Sequence, residues 1–247
     1  MPRNGAKKMY YLLNNELKQL KIGRDKFIDI LRANHLLIVP KRSYHITTNS
    51  HHRFRKHQNQ LLDLQIQHPE QVWVSDITYI GKRDKPCYLS LVTDAYSKKI
   101  VGFNVADNLN TESSLAALKK ALKQRKDALL PLIHHSDRGL QYCANEYQNL
   151  LKKSNIKCSM TQNSDPYENA VAERINGILK QEFGIDKFHN ELSITKLLVK
   201  NAIEIYNQKR PHYSNFLLTP NQMHQQNKIK MRTYKTKNSC KNVLATV

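Results

Sequence analysis

The chain is poor in several things at once. Its 247 residues include only 20 acidic side chains against 40 Lys and Arg, with four cysteines, seven glycines and one tryptophan. No run approaches the roughly 18 consecutive apolar residues of a membrane-spanning helix, and the first residues lack the apolar segment of a secretory signal. The sequence therefore predicts a soluble, cytoplasmic protein with no membrane partner. Cys87, Cys143, Cys158 and Cys240 lie far apart and form no CxxC pair, which argues against a zinc knuckle or a disulfide framework. Apolar residues make up 40% of the chain, enough for a real core, so wholesale disorder is excluded. The scarcity of acids leaves a net charge of +20. That excess calls for a polyanionic partner, and nucleic acid suits it better than a membrane because no basic amphipathic anchor helix stands out.

The positive charge is unevenly spread. Residues 1–68 carry a net +9 and residues 211–247 a net +6, while residues 69–210 hold sixteen of the acids and only +5. Near the N-terminus, Tyr10, Leu13, Leu17 and Leu20 recur at helical spacing, Gly23 interrupts, and Phe27, Ile30 and Leu31 form a second stripe. This pattern fits a helix-turn-helix offering Arg24 and Lys26 to DNA, and equally an ordinary basic helical hairpin. Residues 41–60 follow no core-forming period. With Lys41, Arg42, Arg53, Arg55 and Lys56 they read as a basic linker along a phosphate backbone. His45, His51, His52 and His57 lack cysteine partners at zinc-finger spacing. Residues 228–247, rich in Lys, Asn and Thr, read as a basic flexible tail. The organisation expected is thus a DNA-binding region and linker over 1–60, a folded core over 61–227, and the tail.

From Gln71 the character changes. Strands are expected at 72–80, 87–93 and 100–105, with Asp94 in the turn between the last two. A helix capped by Thr111 follows, then a buried strand over Leu129–His135 that meets Asp137-Arg138-Gly139. Next come a helix with Tyr147, Leu150 and Leu151, a short strand near Ile156–Met160, a loop at 163–166, and helices over about 168–183 and 191–207. The whole is an α/β arrangement, a mixed sheet flanked by helices.

Three acids stand out by position. Asp76 lies inside a strand that is apolar on both faces, where an ionised carboxylate costs several kcal/mol unless a cation or donors compensate it. Asp137 stands just past a strand end, where α/β sites gather. Glu173 lies on a helix whose Val171, Ile175, Ile178 and Leu179 form the buried stripe, leaving Asn169, Glu173, Asn176 and Lys180 on the other side. Each alone reads more readily as a solvated or capping residue. Together their spacing, 61 positions and then 35 intervening residues, is distinctive. So are the words around them: Trp73 to Tyr79 at the first acid, His134 to Gly139 at the second, and Glu168 to Arg174 at the third. Tyr206 to His212 and Leu218-Thr219-Pro220 extend the pattern.

On these words the chain resembles the insertion-sequence-3 family of transposases, specifically its downstream (OrfB-type) proteins with a DDE integrase core. The resemblance runs from Ile22 to Pro220. It implies an RNase H-like fold, like retroviral integrases, and metal-dependent strand cleavage and strand transfer at insertion-sequence ends. Asp76, Asp137 and Glu173 would be both catalytic and metal-binding. Two Mg²⁺ ions, with Mn²⁺ as a substitute, would lie roughly 3.5–4 Å apart. Asp76 would bridge them, with Asp137 on one and Glu173 on the other. Glu168 is a rival third acid, and the 35-residue spacing and the Ala-Glu-Arg context select Glu173. Lys180 is the leading candidate for a DNA phosphate contact, followed by Arg138 and by Arg210, which could equally hold the Tyr206–His212 turn. The partners implied are double-stranded DNA at element ends and target, further copies of the chain as a homo-oligomer on DNA, and an upstream-frame helix-turn-helix protein, fused or in complex. The location implied is cytoplasmic and nucleoid-associated. The alternative is a DNA-binding regulator or decayed transposase that occupies element ends without catalysis.

Overall fold

In the computed structural model, residues 4–38, 57–62, 64–81, 86–162, 169–187 and 191–225 are described. Three short helices open the chain, α1 (Ala6–Leu12), α2 (Asn14–Gln19) and α3 (Arg24–Ala33). A single helix over 9–20 was the simplest reading of the apolar spacing, but the chain breaks at Leu13. The small core built from Leu17, Phe27 and Leu31 takes Leu17 and Tyr10 from that stripe, and Leu13 and Leu20 stay exposed. Tyr10 and Phe27 complete the cluster, with ring centroids 6.0 Å apart.

The rest is built on a five-stranded sheet, β1 (Val72–Gly81), β2 (Pro86–Asp94), β3 (Ile100–Ala106), β4 (Leu132–Ser136) and β5 (Ile156–Met160), in the order β3-β2-β1-β4-β5. The first three strands pair antiparallel, whereas β4 joins β1 and β5 joins β4 in parallel. Parallel pairing requires crossovers. They are supplied by α4 (Thr111–Gln124) between β3 and β4, and by α5 (Leu140–Cys143) and α6 (Asn145–Lys153) between β4 and β5. Then come α7 (Ala170–Phe183), α8 (Leu192–Lys209), a short 3₁₀ turn and α9 (Pro220–Gln225).

Alternation along β1 sends its side chains to two cores. Trp73 and Ile77 pack with Leu118, Tyr142, Tyr147 and Leu151 under α4–α6. Val74 packs against Ala172, and Ile80 joins Ile175, Leu179 and Ile203 under α7 and α8. Helix α4 lies very close to β3 at one point. A Cβ on Gly102 would stand 2.2 Å from the Ala117 carbonyl oxygen and 2.9 Å from the Ala121 Cβ, so only glycine fits.

Several boundaries differ from the sequence reading. The strand expected from Leu129 begins at Leu132, and Leu129 is 90% exposed. Asn110 precedes α4 as its cap and Thr111 is its first helical residue. Asp94, expected in the turn, is instead the last residue of β2, and the turn follows it. Its buried carboxylate accepts from the Ser97 N–H (2.8 Å), the Ser97 hydroxyl (2.7 Å) and the Glu70 N–H (2.7 Å). Most of the expected linker and the whole expected tail lie outside the described residues. Among the described residues, no helix is long and apolar enough to cross a membrane.

Candidate active site

The site begins with strand register. In the β1–β4 ladder, Val74 faces His135 and Ser75 faces Ser136. One step further along come Asp76, midway along β1, and Asp137, just past the end of β4, so the parallel pairing brings the two carboxylates together in the interior of the sheet. Asp76 shares the Val74 face of β1, which is the face covered by α7. Glu173, solvent-exposed in the first turn of α7, sits where a helix N-terminus favours negative charge.

Hydrogen bonds fix the frame. Asn176, one turn after Glu173, donates its Nδ2 to Asp76 Oδ2 at 2.6 Å. The Gly139 N–H donates to Asp137 Oδ1 at 3.0 Å, closing the turn after β4. Asn169, the cap of α7, donates to the Ser75 carbonyl at 3.2 Å and ties the helix start to the strand that carries Asp76. Underneath, His134 Nε2 lies 2.8 Å from Ser75 Oγ and 2.9 Å from Tyr147 Oη. Burial and the neighbouring His135 push the His134 imidazole down to about 3, so it is a neutral strut. His135 Nδ1 in turn lies 2.8 Å from Ser159 Oγ on β5.

The electrostatics single out Asp76. Burial, then the charge of Asp137, push its carboxyl up to about 7, with Glu173 adding to the rise. The hydrogen bonds from Asn176 and the Ile77 N–H oppose the shift without cancelling it. Two acids from other parts of the chain, Asp137 and Glu173, thus act on the one Asp76 carboxyl. Among the described residues, no three carboxylates, imidazoles or thiols are gathered tightly enough to hold a metal ion in this arrangement. What the site offers is hard carboxylate oxygens, the donor type that a hard divalent cation takes.

The other expected residues are distributed as follows. Lys180 is half-buried on α7, with Nζ 4.5 Å from the Tyr79 ring centroid and within the field of Asp186 and Asp76, so it lies on the site side. Arg138 donates through Nε to the Thr161 carbonyl at 2.6 Å, bracing the turn after β4 against the end of β5. Arg24 and Lys26 are exposed on α3, Arg24 paired with Asp25 at 2.8 Å. Arg210 is buried: its side chain is 2% exposed and makes two 2.6 Å contacts to the Glu182 carboxylate, which supports the structural one of its two expected roles over the phosphate contact. Lys8 of α1 reaches the same carboxylate at 3.1 Å. Lys41, Arg42 and Glu168 lie outside the described residues. Sequence reasoning placed Asn176 beside Glu173 but missed its bond to Asp76, and the only signal was its position one turn after an acid.

Comparison with known proteins gives a consistent picture. Two integrase core domain families match residues 66–166 and 154–220. Over 193 residues, 77% of this chain and 71% of the relative, the chain is 34% identical to the insertion element IS600 uncharacterized 31 kDa protein of Shigella sonnei. It is 32% identical to the transposase for insertion sequence element IS629 of Shigella sonnei, over 58% of this chain and 47% of that protein. With the transposase InsF for insertion sequence IS3fB of Escherichia coli it shares 34% identity over 64% and 55% of the two chains. The match thus spans about half the length of the two named transposases. Among solved structures, the HTLV-2 integrase catalytic core domain in complex with magnesium superposes with a TM-score of 0.50 at 20% identity, over 64% of this chain and 97% of that one. The intasome of simian T-cell lymphotropic virus, in complex with PP2A regulatory subunit B56 gamma, gives 0.56 at 16% identity, over 92% of this chain and 77% of that one. These likenesses identify the fold as RNase H-like.

Proposed function

The chain belongs to the insertion-sequence-3 type of transposases with an integrase core domain, and from that premise we propose that it cleaves and joins DNA strands at insertion-sequence ends. The observation that carries this reading is the meeting of Asp76 and Asp137 on adjacent parallel strands, with the charge of Glu173 reaching Asp76 from α7. Two Mg²⁺ ions held by Asp76, Asp137 and Glu173, or Mn²⁺ in their place, would activate an attacking oxygen and stabilise a leaving one. The chain's own residues supply the rest. Asn176 orients Asp76, and Lys180 offers a cation to a phosphate of the DNA end. Arg24 and Lys26, with Lys41 and Arg42, contribute sequence-independent attraction to the backbone. In the first step water attacks phosphorus at the element end, the P–O3′ bond breaks, and a 3′-hydroxyl is freed. In the second, that hydroxyl attacks a target phosphodiester, forms a new P–O bond and expels the target's own 3′-oxygen.

Residues 1–60 serve as the DNA-recognition region and linker, 61–227 as the catalytic core, and 228–247 as a basic tail. Double-stranded DNA is the partner, the chain acts as an oligomer of itself on that DNA, and an upstream-frame helix-turn-helix protein completes end recognition. The working location is the nucleoid.

The test is a Mg²⁺-dependent assay on labelled element-end DNA. Asp76→Asn, Asp137→Asn and Glu173→Gln should each abolish cleavage while leaving DNA binding largely intact, with Glu168→Gln losing activity only in part. Cleavage retained in any of the first three removes that residue from the site. A wild-type chain that shifts the DNA without ever nicking it would establish the alternative, a protein that only occupies element ends.

A further inference from the structure

Asn176 is a poor choice for stability alone. It is buried at 6% exposure on the inner side of α7, where Ile175, Ile178 and Leu179 fill the core around it. Its amide nitrogen donates to Asp76 Oδ2 at 2.6 Å, the arrangement that suits the ionised carboxylate a cation would bind. That choice leaves Oδ1 as a buried acceptor with no hydrogen-bond partner. An isosteric leucine would satisfy the packing and remove an orphaned polar atom. The bond also spans elements, joining β1 to α7 three residues beyond Glu173. It therefore sets the distance between two carboxylates that come from different parts of the chain.

We propose that Asn176 is a positioning residue of the reaction centre, whose amide holds the Asp76 carboxylate in the orientation a divalent cation requires. The inference rests on the functional reading above and deepens it. A donor that orients a ligating carboxylate characteristically changes cation affinity by about 10–100-fold when removed. A residue that merely packs would change the melting temperature and leave that affinity alone.

The experiment is Mn²⁺ binding by the full chain, followed by electron paramagnetic resonance of the free ion, alongside calorimetric melting in chelator. In Asn176→Leu, Mn²⁺ affinity falls at least tenfold, and the metal-free melting temperature stays level or rises. Asn176→Gln, which keeps the amide, restores most of that affinity. Unchanged Mn²⁺ affinity in Asn176→Leu overturns the inference, whether or not the protein melts earlier. If Asn176→Leu loses both stability and affinity, Asn176→Gln decides: recovered affinity upholds the positioning role and unrecovered affinity refutes it. A wild-type chain that takes up no Mn²⁺ brings down the functional reading and this inference together. Equal binding by wild type and Asn176→Leu brings down this inference only.

Discussion

The carboxyl of Asp76 makes a prediction about stability that needs no DNA. It sits at about 7 in the folded chain against 3.8 for the free side chain, the larger cause being burial and the next the charge of Asp137. A shift of one unit is about 1.4 kcal/mol, so ionising Asp76 in the cation-free fold costs at most about 4 kcal/mol. The side chain is only partly buried, and solvent reduces the cost to roughly 2–3 kcal/mol. The sign follows from proton counting. Between pH 4 and pH 7 the native state holds a proton that the unfolded chain has lost, so stability falls as pH rises through this window and levels off above it. Asp76→Asn removes the titration. Its melting temperature should match wild type near pH 4 and exceed it at pH 8 by roughly 5–10 °C, given about 2–4 °C per kcal/mol for a chain of this size. Both proteins should be melted in chelator across that range, because other titrating groups contribute equally to each. Parallel curves from pH 4 to pH 8 would refute the claim that Asp76 is held protonated by burial and its neighbours. Added Mg²⁺ should raise the wild-type melting temperature at pH 8 and leave Asp76→Asn unmoved.

Two further substitutions test the scaffold. Gly102→Ala forces a methyl group against the Ala117 carbonyl and should cost about 3 kcal/mol through the overpacked α4–β3 contact. A melting curve equal to wild type would show that α4 can move away freely. Arg210→Met strips Glu182 of its two 2.6 Å contacts and leaves only Lys8. It should lower stability by about 3 kcal/mol, as breaking a buried pair does. The salt dependence of DNA binding should stay unchanged, and a shallower slope would mean that Arg210 touches phosphate after all.

Much of this architecture is legible in the sequence because it is written in periodicity. The dense Val, Ile, Thr and aromatic content of 72–80 predicts β1, and with it the placement of Asp76 inside a strand. The stripe of Ile175, Ile178 and Leu179 predicts the packed face of α7, and those three residues are buried. What the pattern cannot carry is pairing across long separations. Arg210 reads as a surface cation until Glu182, 28 positions earlier, is found against it. Asn176 reads as outward-facing because helical projection assumes one covered side, whereas α7 is covered by the sheet and by α8. Leu129 and Leu130 read as strand because they are apolar, but Pro131 intervenes, pairing with β1 reaches back only to Ile133 and pairing with β5 only to Leu132.

The two intervals between the acids differ in kind. From Asp76 to Asp137 the chain crosses a stretch before β4 where Leu129 stands almost wholly in solvent, and residues could be added there without disturbing Ser75 opposite Ser136. From Asp137 to Glu173 it runs through α5, α6 and β5, whose Tyr142, Tyr147, Leu151, Ile156 and Met160 are all locked into one core. A residue inserted inside β4 would swing Asp137 to the opposite face of the sheet and silence the site while leaving all three acids in the sequence. The first interval is therefore elastic in the exposed stretch ahead of Leu132 and rigid from there to Asp137. Length changes are harmless in that stretch and lethal inside the strand.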